Sequence, residues 1–337
     1  MIIATLILTL LAFPSSFRYR KILTADIRAS LNADINAQDN NTDIGHARLG
    51  VQGKLLKEFQ YQVEVDFAST HFWKDVFLDL HHIDYAQVKI GKFKLPFCMD
   101  ELTSFRDLDF VDRTFTARKL APGRDIGVML HGRILKDGLS YQAGVFLHDG
   151  ENSESKTGVR GVPGYATRVT AQPLKNLHLG AAFVGSDVPE GLNSLREKGF
   201  TTVFVQGPRL RFGTEFSWEP GPFSIKSEWV HESEARQGQG IHEENLPARI
   251  SRGAYVTVMW HFAKPFQLGG RFEQVRNGSA DPEGMPFSSP RAPTLPTETQ
   301  NIWTGGVNWF VLPFAKIQFN GVQNGHWAAE ARFQFSM

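Results

Sequence analysis

The chain has 337 residues, with 36 basic against 35 acidic side chains and a formal charge of +1, so bulk charge draws it toward no particular partner and no nucleic acid is expected. A single cysteine, Cys98, excludes an internal disulfide and a thiolate metal cluster, and its small side chain is expected to pack as an apolar one. With 27 Phe, 7 Trp and 31 Gly at a mean hydropathy of −0.25, and no internal apolar run of membrane-helix length, the composition fits an all-β chain that exposes apolar side chains at every second position.

Residues 2–13, IIATLILTLLAF, form an apolar core of export-signal length, although no basic residue precedes it and the first charge is Arg18. We expect a signal peptide over 1–16 and one barrel domain over 17–337. From Ala25 the pattern has period two. Ala25, Ile27, Ala29, Leu31, Ala33 and Ile35 are apolar, and Asp26, Arg28, Ser30, Asn32 and Asp34 are polar, which is a strand with one apolar and one wet face. The same rhythm returns at Ala47–Val51 and at Tyr61–Phe67. Two further strands are expected at 76–82 and 85–95, joined near His82–Asp84.

The stretch from Ala86 to Gly132 breaks the rhythm. KFKLPF leads into a segment with no two-residue period, which carries Arg106, Arg113, Arg118 and Lys119 among Asp107, Asp109 and Asp112; Pro122-Gly123 and Arg124 then open another strand. Inserts of this length inside a compact domain are usually functional. We read it as a loop folded into the mouth of a barrel, with its guanidinium groups offering successive anion sites.

The runs KIGKFKLPF, LTSFRDLDFVDR, LAPGRDIGVMLHG and LSYQAGVFLHDG resemble the phosphate-selective porin O/P family, most specifically from Val88 to Gly150. The resemblance implies a sixteen-stranded, usually homotrimeric transmembrane antiparallel β-barrel of the bacterial outer membrane. It also implies an inward-folded third extracellular loop and a basic wall that attract inorganic anions such as phosphate. Barrels of this kind finish on an aromatic residue; here Phe335 is followed by Ser336 and Met337.

Beyond residue 124 the alternation recurs at Tyr141–Leu147, Leu177–Phe183, Leu210–Trp218, Phe223–Trp229, Trp303–Trp309, Ala315–Phe319 and Trp327–Phe335. Tight connections (136–138, 174–176, 220–222, 263–266, 312–314) are expected to alternate with long polar ones (148–164, 186–199, 232–247, 277–298), as short periplasmic turns alternate with external loops. The count is about sixteen, with 200–219 readable as one strand or two. Aromatic residues gather near strand ends, as girdles at the lipid–water interface would. Ala25, Ile27, Val63, Tyr141, Leu179 and Phe319 are expected to face lipid.

The opposite face carries charges of both signs. Its pore-wall candidates are Lys89, Arg168, Arg211 and Arg271, while Arg106, Arg113, Arg118, Lys119 and Arg124 are the constriction candidates. Lys92 and Lys94 share the parity of Ile90, so they belong at the outer rim unless Gly91 makes a bulge. Asp79, His81, His82 and Asp84 make a poor metal set, since adjacent strand residues point to opposite faces. No phosphate loop or nucleophile elbow is present, so no cofactor or catalytic residue is assigned. The reading is a passive channel for small anions, phosphate or polyphosphate-like. The alternatives are a general porin of weak selectivity and, behind it, an outer-membrane barrel enzyme.

Overall fold

The computed structural model describes residues 16–19, 23–36, 41–56, 58–135, 138–151, 163–193, 203–237, 245–279 and 298–336. The expected signal segment lies outside these residues but for Ser16, as do the central parts of the long loops after 151, 193, 237 and 279. The first half of the wall comprises β1 (Ser16–Tyr19), β2 (Leu23–Asn36), β3 (Asn41–Leu55), β4 (Phe59–Asp66), β5 (Trp73–Ile83), β6 (Ala86–Lys94), β7 (Arg124–Ile134) and β8 (Leu139–Phe146). The second comprises β9 (Gly164–Leu174), β10 (Leu177–Asn193), β11 (Val203–Trp218), β12 (Phe223–Arg236), β13 (Leu246–Ala263), β14 (Phe266–Ser279), β15 (Glu298–Leu312), β16 (Ala315–Asn324) and β17 (His326–Ser336).

Each strand from β2 to β17 pairs antiparallel with the next, and β17 returns to β2 through Ser336↔Ser30 to Glu330↔Asn36. Sixteen strands therefore close a barrel, the only sheet that leaves no unpaired edge in hydrocarbon. The short β1 pairs with residues 23–26 of β2, on the edge that β17 leaves uncovered, and so lengthens the seam. Region 200–219 holds one strand, β11, whose register with β12 shifts between Gln206 and Arg209. Gly207 sits there at φ +100, a backbone shape that favours glycine.

Strand β13 shows why the wall has two faces. Arg249, Ser251, Gly253, Tyr255, Thr257 and Met259 are buried, while Arg252, Val256, Val258 and Trp260 between them are exposed. Apart from Arg252 these outer positions are apolar because their solvent is lipid; the inner ones are largely polar because theirs is water and the inserted loop. Of the positions expected on the lipid side, Val63, Leu179 and Phe319 are exposed, and Ala25, Ile27 and Tyr141 are half-buried. Val128, at the middle of β7 and half exposed, gives a direct check. Val128→Arg is expected to lower stability by about 2–4 kcal/mol if it meets the bilayer midplane, read from denaturant titration of the barrel refolded in vesicles.

Tight connections occur at 84–85, 175–176, 219–222, 264–265 and 313–314. Beyond residue 124 the expected alternation of short and long connections fails at β16 and β17, which are joined by Gly325 alone. Gly325 takes φ +76, which lets a one-residue reversal close where a long loop would otherwise stand.

Residues 95–123, after β6, carry two short helices, α1 (Met99–Leu102) and α2 (Phe115–Leu120), with a 3-10 turn at Phe105–Asp107 between them. Thr114 caps α2 by accepting from the Ala117 amide. The segment brings Leu95, Phe97, Cys98, Ala117, Leu120 and Ala121 against Phe93, Met129, Phe146, Ala166, Ala182, Val184 and Val230 of the wall. Phe146, the last residue of β8, is thus an inward core residue. The inner face of β6–β12 is apolar where the loop covers it, because a loop with an apolar side needs an apolar partner.

Candidate functional site

The loop touches β3 through Phe105, whose ring lies 3.9 Å from that of His46, and it touches β12–β17 through a series of hydrogen bonds. A single segment reaches both groups of strands, by their polar faces, only by crossing the enclosed space. Glu228 on β12 accepts from the amides of Met99 and of Asp100 (3.0 Å), from Tyr255 Oη (2.7 Å) and from Cys98 Sγ (3.4 Å). Burial, with Glu228 beside it, pushes the Cys98 thiol up, so it stays a neutral packing group. Farther along, Lys316 Nζ donates to the Leu108 carbonyl (2.8 Å), Asn308 to that of Asp109 (2.7 Å), Arg271 to that of Asp112 (3.0 Å) and Arg332 to that of Val111. Lys226 pairs with Asp109 at 2.7 Å. Lys226, Arg271, Lys316 and Arg332, wall cations that parity assigns to the lumen, are therefore engaged in holding the loop.

The constriction candidates separate into two groups. Arg113 is buried and donates to the carbonyls of Asp100 and Thr103 (2.5 Å), with Glu101 at 3.5 Å. Arg124 is buried too, forked onto Asp75 (3.2 and 2.9 Å) with Glu151 at 3.6 Å. Arg118 is exposed and paired with Asp112 at 2.8 Å, and Lys119 places its ammonium 4.6 Å from the Phe115 ring centre. Arg106 is exposed beside Asp107 at 3.5 Å. The run after Asp112 is free of acids in sequence but not in space, because Glu101, Asp75 and Glu151 arrive from elsewhere in the chain.

Of the wall candidates, Arg211 is buried on Glu232 (2.6 Å) and Arg271 on Glu273 (2.8 Å), while Arg168 pairs with Glu215 at 2.5 Å. Lys89 reaches Asp79 at 3.3 Å and lies 4.4 Å from the Phe77 ring centre. The register of β5 with β6 runs unbroken through Gly91↔Phe77, so Gly91 makes no bulge; a Cβ there would meet the Val76 carbonyl at 2.2 Å. Lys92 pairs with Glu151 at 3.2 Å, whereas Lys94 is not at the outer rim but half-buried against the loop, donating to the carbonyls of Glu101 and Thr103 (3.3 Å). It sits next to the loop's first turn, where its ammonium replaces lost water with carbonyls.

Between the loop and β2–β8 an open cavity of about 320 Å³ remains. Six cationic side chains line it (Arg28, Arg48, Lys89, Lys94, Arg106 and Arg124) against two carboxylates, Glu64 and Asp75. Asp75 is taken by Arg124, and Glu64 by Arg48 at 3.1 Å. Arg28 has no carboxylate of the described residues within 4 Å of its guanidinium. Arg28 and Arg106 both border the adjoining pocket as well, so the two guanidinium groups share one water-filled space. Sequence reasoning placed Arg28 and Arg48 on the wet face without singling them out, since parity gives a face but not which part of it the loop leaves open.

Asp79 gathers His131 (2.9 Å), His81 (3.3 Å) and Lys89 around one carboxylate, so its charge already meets an ammonium. Among the described residues, no group of three or more His, Cys, Asp or Glu is arranged to hold a metal ion.

The sequence model of the family described as phosphate-selective porin O and P matches residues 19–326. No curated protein sequence matches the chain. Among solved structures, the loop L8 deletion mutant of OmpT, an outer membrane protein of Vibrio cholerae, superposes with a TM-score of 0.69 at 14% identity, covering 94% of this chain and 100% of that one. The in-vitro folded trimer form of the same protein gives 0.65 at 12%, again over 94% and 100%. An anion-selective porin from Comamonas acidovorans gives 0.65 at 10%, with the same coverage. At such identities the likeness concerns the fold.

Proposed function

The chain belongs to the phosphate-selective porin O and P family and is a channel of the bacterial outer membrane, and from this premise we propose that it passes small anions by diffusion, phosphate-like solutes among them. The observation that carries the reading is the cavity between the loop and β2–β8, where six cations face two carboxylates and both carboxylates are already paired. Arg28, with no carboxylate of the described residues within 4 Å, and Arg106, exposed beside Asp107 at 3.5 Å, direct positive charge at this space. Near-zero net charge supplies no general pull, so preference has to arise locally, where protein walls screen a charge less than open water does. Several moderate sites also allow release, which one tight site would not.

On this reading the protomer is one of three, set among outer-membrane lipids and exported by its apolar N-terminal segment. The V. cholerae trimer form and the Comamonas anion-selective porin lend support as fold relatives. A general porin of weak selectivity is the second reading, favoured by the exact local pairing of Arg48, Arg124 and Arg168. Reversal potentials in a potassium chloride gradient across a planar bilayer separate the two. We expect a potential of the sign that chloride sets; a value at zero, or of the opposite sign, rejects anion preference.

A further inference from the structure

We propose that the anions this channel binds best are amphipathic organic ones, a phosphate or carboxylate carrying an apolar carbon skeleton, rather than bare inorganic phosphate. The inference rests on the anion reading above and specifies its substrate class. The cavity that holds Arg28 and Arg106 is bordered elsewhere by Phe77, Phe93, Leu102 and Met129. It is thus two-sided: Arg28, Arg48 and Arg106 stand toward β2, β3 and the 3-10 turn, whereas toward β5–β7 and α1 the apolar groups stand among the already partnered Lys89, Lys94 and Arg124.

A hydrated phosphate has acceptor oxygens in every direction and is costly to strip of water unless donors replace it all round. On the β5–β7 side the donors of Lys89, Lys94 and Arg124 are already engaged by Asp79, by the Glu101 and Thr103 carbonyls, and by Asp75 and Glu151, so inorganic phosphate gains chiefly from the Arg28 and Arg106 side of this cavity. An aryl or alkyl ester of phosphate satisfies both. Its head group meets the guanidinium groups, whose forks match phosphate oxygens, and its carbon skeleton removes apolar surface from water along Phe77 and Leu102. Lys89, 4.4 Å from the Phe77 ring centre and 5.7 Å from that of Phe93, keeps a positive charge above the same rings. That charge excludes a wholly apolar solute and favours an anionic one. At about 320 Å³ the space is large for a phosphate ion and falls at the lower end of small-molecule sites, which run from roughly 300 to 1,000 Å³.

The test uses the full-length channel in a planar bilayer carrying chloride current. First the reversal potential is recorded; then inorganic phosphate, phenyl phosphate and neutral phenol are added in turn at one pH, and the concentration of each that halves the current is read. Phenyl phosphate is expected to halve it at about one-tenth the concentration of inorganic phosphate, the advantage that burying roughly half a phenyl ring supplies, and phenol is expected to be the weakest of the three. Leu102→Gln should shrink the ratio between the two phosphates, and Phe77→Leu should do so in a second, independent way. Arg106→Gln should raise both half-block concentrations together. Equal block by the two phosphates in an anion-selective channel overturns this inference and leaves the anion reading standing. Block by phenol as strong as by phenyl phosphate overturns it as well. A reversal potential without anion preference instead rejects the anion reading itself.

Discussion

Deletion of residues 104–118 is expected to raise single-channel conductance severalfold while the barrel still assembles. Those residues span the 3-10 turn, the strip that follows it and the first four residues of α2, and they occupy the part of the lumen beside β12–β17. Their removal frees the Lys316, Arg271 and Arg332 groups that now hold loop carbonyls, and water entering the widened lumen takes over those hydrogen bonds. The wall itself is held by strand ladders that do not involve the loop, from β2 round to β17 and back. Glu228 keeps its contacts with Met99 and Asp100 at the loop's base, so the shortened segment stays attached. Single-channel recordings on purified protein check this, with resistance of the folded barrel to denaturation as the control for assembly. Unchanged conductance in a properly closed barrel shows that the ion path does not run past this segment.

The barrel was legible in the sequence because lipid on one side and water on the other force a period of two, and strand β13 obeys it from Arg249 to Trp260. The insert was legible through the loss of that period between Lys94 and Arg124. What it does with its charges was not. Arg124 is forked onto Asp75, 49 residues earlier, and Arg332 reaches the Val111 carbonyl across 221 residues. Such partners are fixed by barrel closure and not by local spacing. The same holds for Phe93, Met129 and Phe146, apolar residues at inward parity. They look like exceptions along the chain and become a core only when the loop lies over them. One signal was present in the chain: Phe93 in KFKLPF and Phe146 in AGVFLHDG sit out of step with the outward apolar positions beside them, Ile90 and Val145.

Replacing Arg28 and Arg106 together by Gln is expected to lower the anion-to-cation permeability ratio by roughly tenfold, since a unit charge about 7 Å from an ion is worth about 0.6 kcal/mol even at the permittivity of water and more between protein walls. The two groups border one water-filled space, and Arg28 meets no carboxylate of the described residues within 4 Å. The charge of Arg28 is therefore left for a passing ion, and that of Arg106, exposed beside Asp107 at 3.5 Å, is offset only in part. Arg124 faces the same cavity, yet Arg124→Gln should behave differently. Its guanidinium is committed to Asp75 and Glu151, and losing it strands a carboxylate in a mostly buried site, a change that typically costs about 3–5 kcal/mol. That variant is expected to show as lowered resistance to unfolding and as poorer assembly. Its charge effect on the current should be the smaller, because removing a cation that is already paired alters the field at a distance much less. Ionic strength supplies the internal check. At 1 M salt the screening length shrinks to about 3 Å, against about 10 Å at 0.1 M, so the Arg28 and Arg106 effect should fade with added salt while the Arg124 defect in stability persists. Reversal potentials at both ionic strengths, set beside denaturation curves for the same preparations, decide the matter. A selectivity loss from Arg124→Gln equal to that of the double variant would show that a buried, doubly paired cation contributes as much to the path as the more open ones, and would move the seat of anion preference to the rim at β5–β7.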